Sequence, residues 1–280
     1  RTVSETWTSD QEPQEPKLDA IGWVIFCLRA VPFALICFIG LIVLLLVRLF
    51  ERPLCGLNRP VTPYLQQGVC KAFFAISGIR LRRTGSPMQG PGAVVVNHSS
   101  WLDIFTLSAP MRVFFVSKAE VRSWPGIGTL ARATGTLFIN RDRREAKVQQ
   151  RLFFDRLLAG HNLLFFPEGT STDGRRVLPF KSTLFGAFFD PALRDRMQVQ
   201  PVSVIYRAPE GADPRFYGWW GDKSFAGHLA KVLGARRQGM VEVIYHAPIK
   251  VADHADRKAL ARACEDAVRG GMPWDFQISR

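Results

Sequence analysis

The sequence predicts an α/β fold, a mostly parallel sheet flanked by helices, behind an N-terminal membrane helix. Three observations predict it. From Ala93 onward, short β-branched or aromatic runs alternate with helically spaced segments. Ala30 to Val47 carries no charge, and about 18 such residues can cross a hydrocarbon core of roughly 30 Å. A chain of 280 residues is long enough to bury a real core, in one large domain or two small ones.

Taken in order, residues 1–20 form a polar lead-in whose "QEPQEPK" reads as disordered and broken by proline. Residues 21–50 are a membrane helix or a re-entrant segment. Arg29 and Pro32 decide between the two: a span that begins near Ala30 leaves Arg29 at the interface to snorkel, whereas a longer stretch bends at Pro32. A cleaved signal peptide is disfavoured, because the preceding region is acidic and no small-residue cleavage site follows Val47. Arg48, Arg52, Arg59 and Lys71 follow the segment, against Lys17 and Arg29 before it. The positive-inside rule therefore places the rest of the chain on the cytoplasmic side of an inner membrane. Residues 51–90 are a connector in which "YLQQGVCKAFFAISGIRLRR" reads either as an amphipathic helix on the bilayer or as the first core helix. Residues 91–280 are the α/β domain. Its expected strands are Ala93–Asn97, Arg112–Ser117, Thr136–Ile139, Asn162–Phe166, Val199–Tyr206 and Val241–His246, with helices over Arg143–Ala159 and Asp256–Arg269.

The net charge of +13 points to anionic partners: a phospholipid surface, nucleic acid or phosphorylated substrates. Nucleic acid is set aside, since the apolar segment favours the membrane and no nucleic-acid motif is present. Pairs such as Arg82–Arg83 and Arg143–Arg144 favour docking on an anionic leaflet. The five cysteines lack CxxC or Cys/His spacing, which argues against a disulfide framework or zinc finger and fits a reducing compartment.

Chemistry-bearing residues gather in two segments. In "AVVVNHSSWLD", a buried strand stops at Asn97 and His98, Ser99 or Ser100 can cap a helix, and Asp103 in its first turn can reach back to one imidazole nitrogen. The other nitrogen is then a base of fixed tautomer, as in nucleophile-activating triads. No nucleophile accompanies it: "GTSTD" at Gly169–Asp173 fails as a GxSxG elbow. A His–Asp pair without a nucleophile suits direct transfer, the base deprotonating a substrate hydroxyl; the competing reading is a structural His beside a helix cap. In "LLFFPEGTSTDGRRVLPFK", an apolar strand runs into Pro167, Glu168, Gly169 and Thr170, then a loop with Arg175, Arg176 and Lys181. Backbone N–H groups, a hydroxyl and cations there make an anion or oxyanion cradle.

Together these segments resemble the glycerolipid acyltransferase family, of the 1-acylglycerol-3-phosphate acyltransferase type. Its NHxSxxD motif is similar to Asn97, His98, Ser100 and Asp103, and its second motif resembles "GTLFINR" with Gly135, Phe138, Ile139 and Arg141, preceded by Lys118 and "WPGIG". Its FPEGTRS resembles Phe166 to Thr172, and its fourth motif resembles "VQPVSVIY" around Pro201. Four motifs in order cover Ala93 to Tyr206. The resemblance implies transfer of a fatty acyl group from acyl-CoA or acyl carrier protein to a lysolipid hydroxyl, with no cofactor and no metal. It implies His98 as general base oriented by Asp103, and Lys118, Arg141, Glu168, Gly169, Thr170, Ser171, Arg175 and Lys181 as substrate-binding residues. The first-ranked acceptor is 1-acylglycerol-3-phosphate, giving phosphatidic acid. One departure matters: Ser171 stands where the family has an Arg, and a hydroxyl cannot replace a guanidinium on phosphate. Either Arg141, Arg175 or Arg176 supplies the charge, or the acceptor lacks a phosphate, as in the lyso-ornithine lipid branch that "EGTSTDGRRVLPFK" also resembles. Readings of another class are a metal-dependent hydrolase using His98, Asp103, Glu168 and Asp173, and a non-catalytic membrane adaptor.

Overall fold

The computed structural model describes residues 6–9, 13, 18–140 and 146–276. Among them the chain forms eight strands: β1 (Arg80–Thr84), β2 (Gly92–Val96), β3 (Phe114–Lys118), β4 (Leu137–Ile139), β5 (Asn162–Phe165), β6 (Gln198–Arg207), β7 (Met240–Tyr245) and β8 (Ile249–Lys250). Seven helices accompany them: α1 (Ala20–Cys55), α2 (Thr62–Ser77), α3 (Asp103–Ser108), α4 (Ile127–Thr134), α5 (Ala146–Leu158), α6 (Phe225–Gly234) and α7 (Arg257–Gly271). The strands make one sheet in the order β1-β7-β6-β2-β5-β3-β4, with β8 also on β6. From β6 to β4 all neighbours are parallel, whereas β7 and β8 run antiparallel to β6.

The centre of the sheet follows from the sequence of β2. A parallel strand covered on both faces needs apolar residues at every position, and "GAVVV" is buried throughout. Ala93 and Val95 face one core with Leu163 and Phe165 under α5 and α7, while Val94 and Val96 face the other with Val202 and Val204 under α2, α3 and α6. Gly92 permits the close pairing with β6, since a Cβ there would lie 2.0 Å from the Gln198 carbonyl oxygen. Pairing β2 between β5 and β6 aligns their carboxyl ends, where residues Asn97, Phe166 and Arg207 follow or finish their strands.

The connector expected over residues 51–90 differs in its second half. The helical pattern ends at Ser77 with Gly78 in the left-handed conformation, and the basic tail "RLRRT" is β1. Its charges fit a sheet edge, where exposed basic residues discourage pairing with another chain. For α2 itself the core reading holds: Phe73 is 0% exposed and stacks on Phe105 at 4.5 Å.

Helix α1 is continuous through Pro32, and its 36 residues make it about 54 Å long. It touches the rest of the domain along this whole length. Asp19, which caps its start, pairs with Arg236. Arg29 does not snorkel: Nη1 donates to the carbonyls of Leu233 at 2.9 Å and Ala235 at 2.7 Å, the open end of α6. Phe33 packs on Phe73 and Phe105, and a Cβ on Gly40 would come within 2.7 Å of Val69 Cγ2. At the far end the buried Glu51 carboxylate accepts from Val61 N, Thr62 N and Thr62 Oγ1, so α1 supplies the N-terminal cap that α2 lacks locally. The opposite face is apolar and exposed at Leu28, Leu35, Phe38, Leu49 and Phe50.

Candidate active site

Asn97, the first residue beyond β2, bonds Val204 with both ends of its amide, Nδ2 to O at 2.9 Å and Oδ1 from N at 2.8 Å. This side chain replaces one more rung of the β2–β6 ladder and fixes where the chain turns. His98 follows, its ring stacked on Phe166 at 4.0 Å. Nδ1 lies 2.7 Å from Asp103 Oδ2, which also accepts from Ser99 N at 2.8 Å and Ser100 N at 3.1 Å. The expected reach of Asp103 back to the imidazole is therefore present. The expected serine cap is not: α3 starts at Asp103 itself, and the carboxylate gathers the free N–H groups of the turn. Tyr206 at the end of β6 donates to Asp103 Oδ1 at 2.7 Å. Four donors thus converge on a side chain that is 0% exposed, while the His98 side chain is 24% exposed. A carboxylate only accepts, so Nδ1 carries the proton and Nε2 presents a lone pair to the open side.

The second loop clamps the backbone of His98. Glu168 Oε1 accepts from His98 N at 2.7 Å and Oε2 from Leu178 N at 2.8 Å, while Thr172 N donates to the His98 carbonyl at 2.9 Å. Burial pushes the Glu168 carboxyl up to about 8, against the two N–H donors that lower it and with the nearby Asp103 charge adding to the rise. Glu168, expected to touch substrate, is instead spent on bracing two loops and is 1% exposed. Gly169 has a φ of 75°, which lets the turn form, and the N–H groups of Thr170 and Ser171 have no acceptor among the described residues.

The two arginines of this loop are already engaged. Asp173 is buried and holds Arg176 at two points, Nε to Oδ1 at 3.2 Å and Nη2 to Oδ2 at 3.0 Å. Arg175 donates to the Asp275 carbonyl at 3.0 Å and covers the Phe276 ring at 4.0 Å. Lys181 is exposed, and what it gives the loop is a backbone bond to the Pro167 carbonyl. Lys118 ends β3 in register with Ile139 of β4, at the same edge of the sheet as His98; Arg141 lies outside the described residues. Trp7, expected within a disordered lead-in, packs on this loop: its N donates to Thr170 Oγ1 at 3.2 Å, its ring meets Trp220, and Arg176 lies over it at 4.7 Å.

Tyr206, Asn97 and Thr172 were not among the residues expected to serve the site. The available signal was their place in the motif segments, at carboxyl ends of parallel strands that border the crevice. The metal-hydrolase reading does not fit, because Glu168 and Asp173 turn their oxygens to backbone N–H groups and Arg176, and no group of three or more His, Cys, Asp or Glu is placed to share an ion among the described residues.

A mostly parallel sheet thus presents, at the carboxyl edge of its central strand, an imidazole held by a buried Asp, an arrangement able to take a proton from a hydroxyl. Residues 78–205 match the model of the acyltransferase family. A lyso-ornithine lipid O-acyltransferase of Rhodobacter capsulatus is 57% identical over 266 residues, covering 95% of this chain and 96% of that one. A second, of Brucella abortus, is 40% identical with coverage of 76% and 82%. A 1-acyl-sn-glycerol-3-phosphate acyltransferase of Neisseria gonorrhoeae is 32% identical with coverage of 66% and 71%. In fold, the chain is similar to the crystal structure of the 1-acyl-sn-glycerophosphate (LPA) acyltransferase of Thermotoga maritima, with a TM-score of 0.56 at 21% identity over 87% of this chain and 95% of that one. The chain belongs to the acyltransferase family and is an enzyme of acyl transfer.

Proposed function

We propose that the protein moves a fatty acyl group from acyl-CoA or acyl carrier protein to the free hydroxyl of a lysolipid, with lyso-ornithine lipid as preferred acceptor. His98 Nε2 takes the hydroxyl proton as the oxygen attacks the thioester carbon. Backbone N–H groups of Thr170 and Ser171 stabilise the tetrahedral oxyanion, which collapses to form the ester and break the C–S bond. The thiolate takes the proton from His98 and leaves as thiol. Asp103 keeps the proton on Nδ1 throughout. No covalent acyl-enzyme and no metal enter this sequence.

The observation that carries the acceptor assignment is the state of the cations. Ser171 removes the guanidinium of the motif, Arg176 is neutralised by Asp173, and Arg175 is tied to Asp275 and Phe276. A dianionic phosphate gains little from guanidinium groups that already have partners, whereas an acylated ornithine brings its own ammonium and carboxylate. The relative at 57% identity supports the same choice. Lys118, and Arg141 at the position the motif assigns to it, favour 1-acylglycerol-3-phosphate as the second acceptor. An acceptor panel at equal donor tests this. Faster turnover of lyso-ornithine lipid is expected; faster turnover of 1-acylglycerol-3-phosphate would overturn the acceptor and leave the reaction class standing.

The apolar stripe of α1 gives the protein its membrane partner. That both ends of α1 rest on the same domain supports a helix lying along one anionic leaflet rather than through the bilayer. The basic residues that follow it favour the cytoplasmic leaflet of the inner membrane, where thioester donors are available.

A further inference from the structure

The bonds to Asp103 do not stop at Tyr206. Thr106, one turn into α3, has its Oγ1 2.9 Å from the Tyr206 hydroxyl oxygen, and Thr106, Tyr206 and Asp103 are all buried. The direction of these bonds is fixed by chemistry. A carboxylate cannot donate, so the Tyr206 hydroxyl hydrogen is committed to Asp103 Oδ1, and the Thr106 hydroxyl must be the donor to Tyr206. Thr106 lies outside the motifs that suggested the site, and Tyr206, the last residue of the fourth, reaches Asp103 across 103 positions of sequence.

We propose that Thr106 and Tyr206 form a donor relay that holds Asp103 and sets how tightly His98 binds the proton it removes from the acceptor. Each donor that stabilises negative charge on Asp103 leaves less of that charge to stabilise the imidazolium. The relay therefore loosens the hold of His98 on the proton it takes from the acceptor. Burial keeps the Tyr206 phenol well above its ordinary value, so it remains a donor over the working range. The other ionisable groups facing this chain of bonds are Glu168 beside Asp103, with Arg269 beyond it, and Tyr217 beside Tyr206, with Arg29 beyond it. Glu168 and Tyr217 are held by backbone N–H groups of their own and leave Oδ1 of Asp103 to Tyr206. Tyr206 and Thr106 are positioning residues here, since neither touches substrate.

The inference rests on the reading of His98 as the base. Its test is the pH profile of kcat/KM for the acyl acceptor, measured on the full chain with Tyr206→Phe and Thr106→Val. Tyr206→Phe removes one hydroxyl and keeps the ring, so the acid limb should move upward by about half to one pH unit, with the acceptor KM unchanged. Thr106→Val should move it the same way by a smaller amount. A merely structural role would lower the melting temperature or the plateau rate and leave the limb in place. An unmoved or downward-shifted limb in both variants overturns the relay. Should Tyr206→Phe not fold, the limb of Thr106→Val decides alone. Turnover retained by His98→Ala would instead bring down the base assignment, and the relay with it.

Discussion

The two loops that meet at His98 are built on opposite terms. In the loop from Asn97 to Asp103, the His98 ring and the N–H groups of Ser99 and Ser100 all turn to one side chain, and with Tyr206 Asp103 collects four donors. In the loop from Glu168 to Lys181, polar groups are turned away: Glu168 and Thr172 brace backbone, and Arg175 and Arg176 are satisfied by Asp275, Asp173 and two aromatic rings. The first loop fixes the chemistry through redundant short bonds. The second keeps its two arginines paired, which is the feature behind the proposed preference for an acceptor without a phosphate.

Each loop can be broken separately. The largest effect is expected for Asp103→Asn. The amide loses the charge that stabilises the imidazolium and turns its nitrogen toward donors the carboxylate accepted, so kcat should fall by about 10²–10⁴-fold and stability by about 1–3 kcal/mol. Glu168→Gln should act on both loops, because its amide nitrogen must face one of two N–H donors; activity should fall by about tenfold and stability by about 1–3 kcal/mol. The same variant carries a pH signature. Burial lifts the Glu168 carboxyl from its ordinary 4.5 to about 8, so the folded chain holds that proton more tightly than the unfolded chain does. The resulting stabilisation is fully present below pH 4.5 and is lost as pH rises through about 8. Melting curves at several pH values should show this loss in the wild type and a flatter dependence in Glu168→Gln. Smaller still is the gain expected from Ser171→Arg, which restores an unpaired guanidinium and should raise kcat/KM for 1-acylglycerol-3-phosphate over lyso-ornithine lipid by about tenfold or less. An unchanged ratio would mean that charge at position 171 does not select the acceptor.

How far each loop was legible in the sequence follows from the range of its bonds. His98 and Asp103 are five positions apart, and a strand followed by one helical turn is enough to bring them together. The six strands that carry β-branched runs were legible for the same local reason. What escaped was set by distant partners. β1 is an edge strand whose charged residues face water, so its pattern continues that of the helix before it. Arg29 looks like a membrane-interface residue until the end of α6 supplies carbonyls from 204 positions away. Hydropathy marks α1 as long and apolar but says nothing of a domain that touches both its ends. Tags placed ahead of Ala20 and after the last residue should therefore be cleaved by protease added to the same side of sealed vesicles. Cleavage from opposite sides would restore a spanning helix.

The central claim is that His98 is the base in a direct transfer. It is tested most directly by acyl transfer from a labelled thioester to lyso-ornithine lipid, comparing the wild type with His98→Ala at matched membrane binding. Loss of product in the variant, together with no label retained on the wild-type protein when acceptor is omitted, is the predicted result. Product formed by His98→Ala, or an acyl label that stays on the wild-type chain, would contradict it.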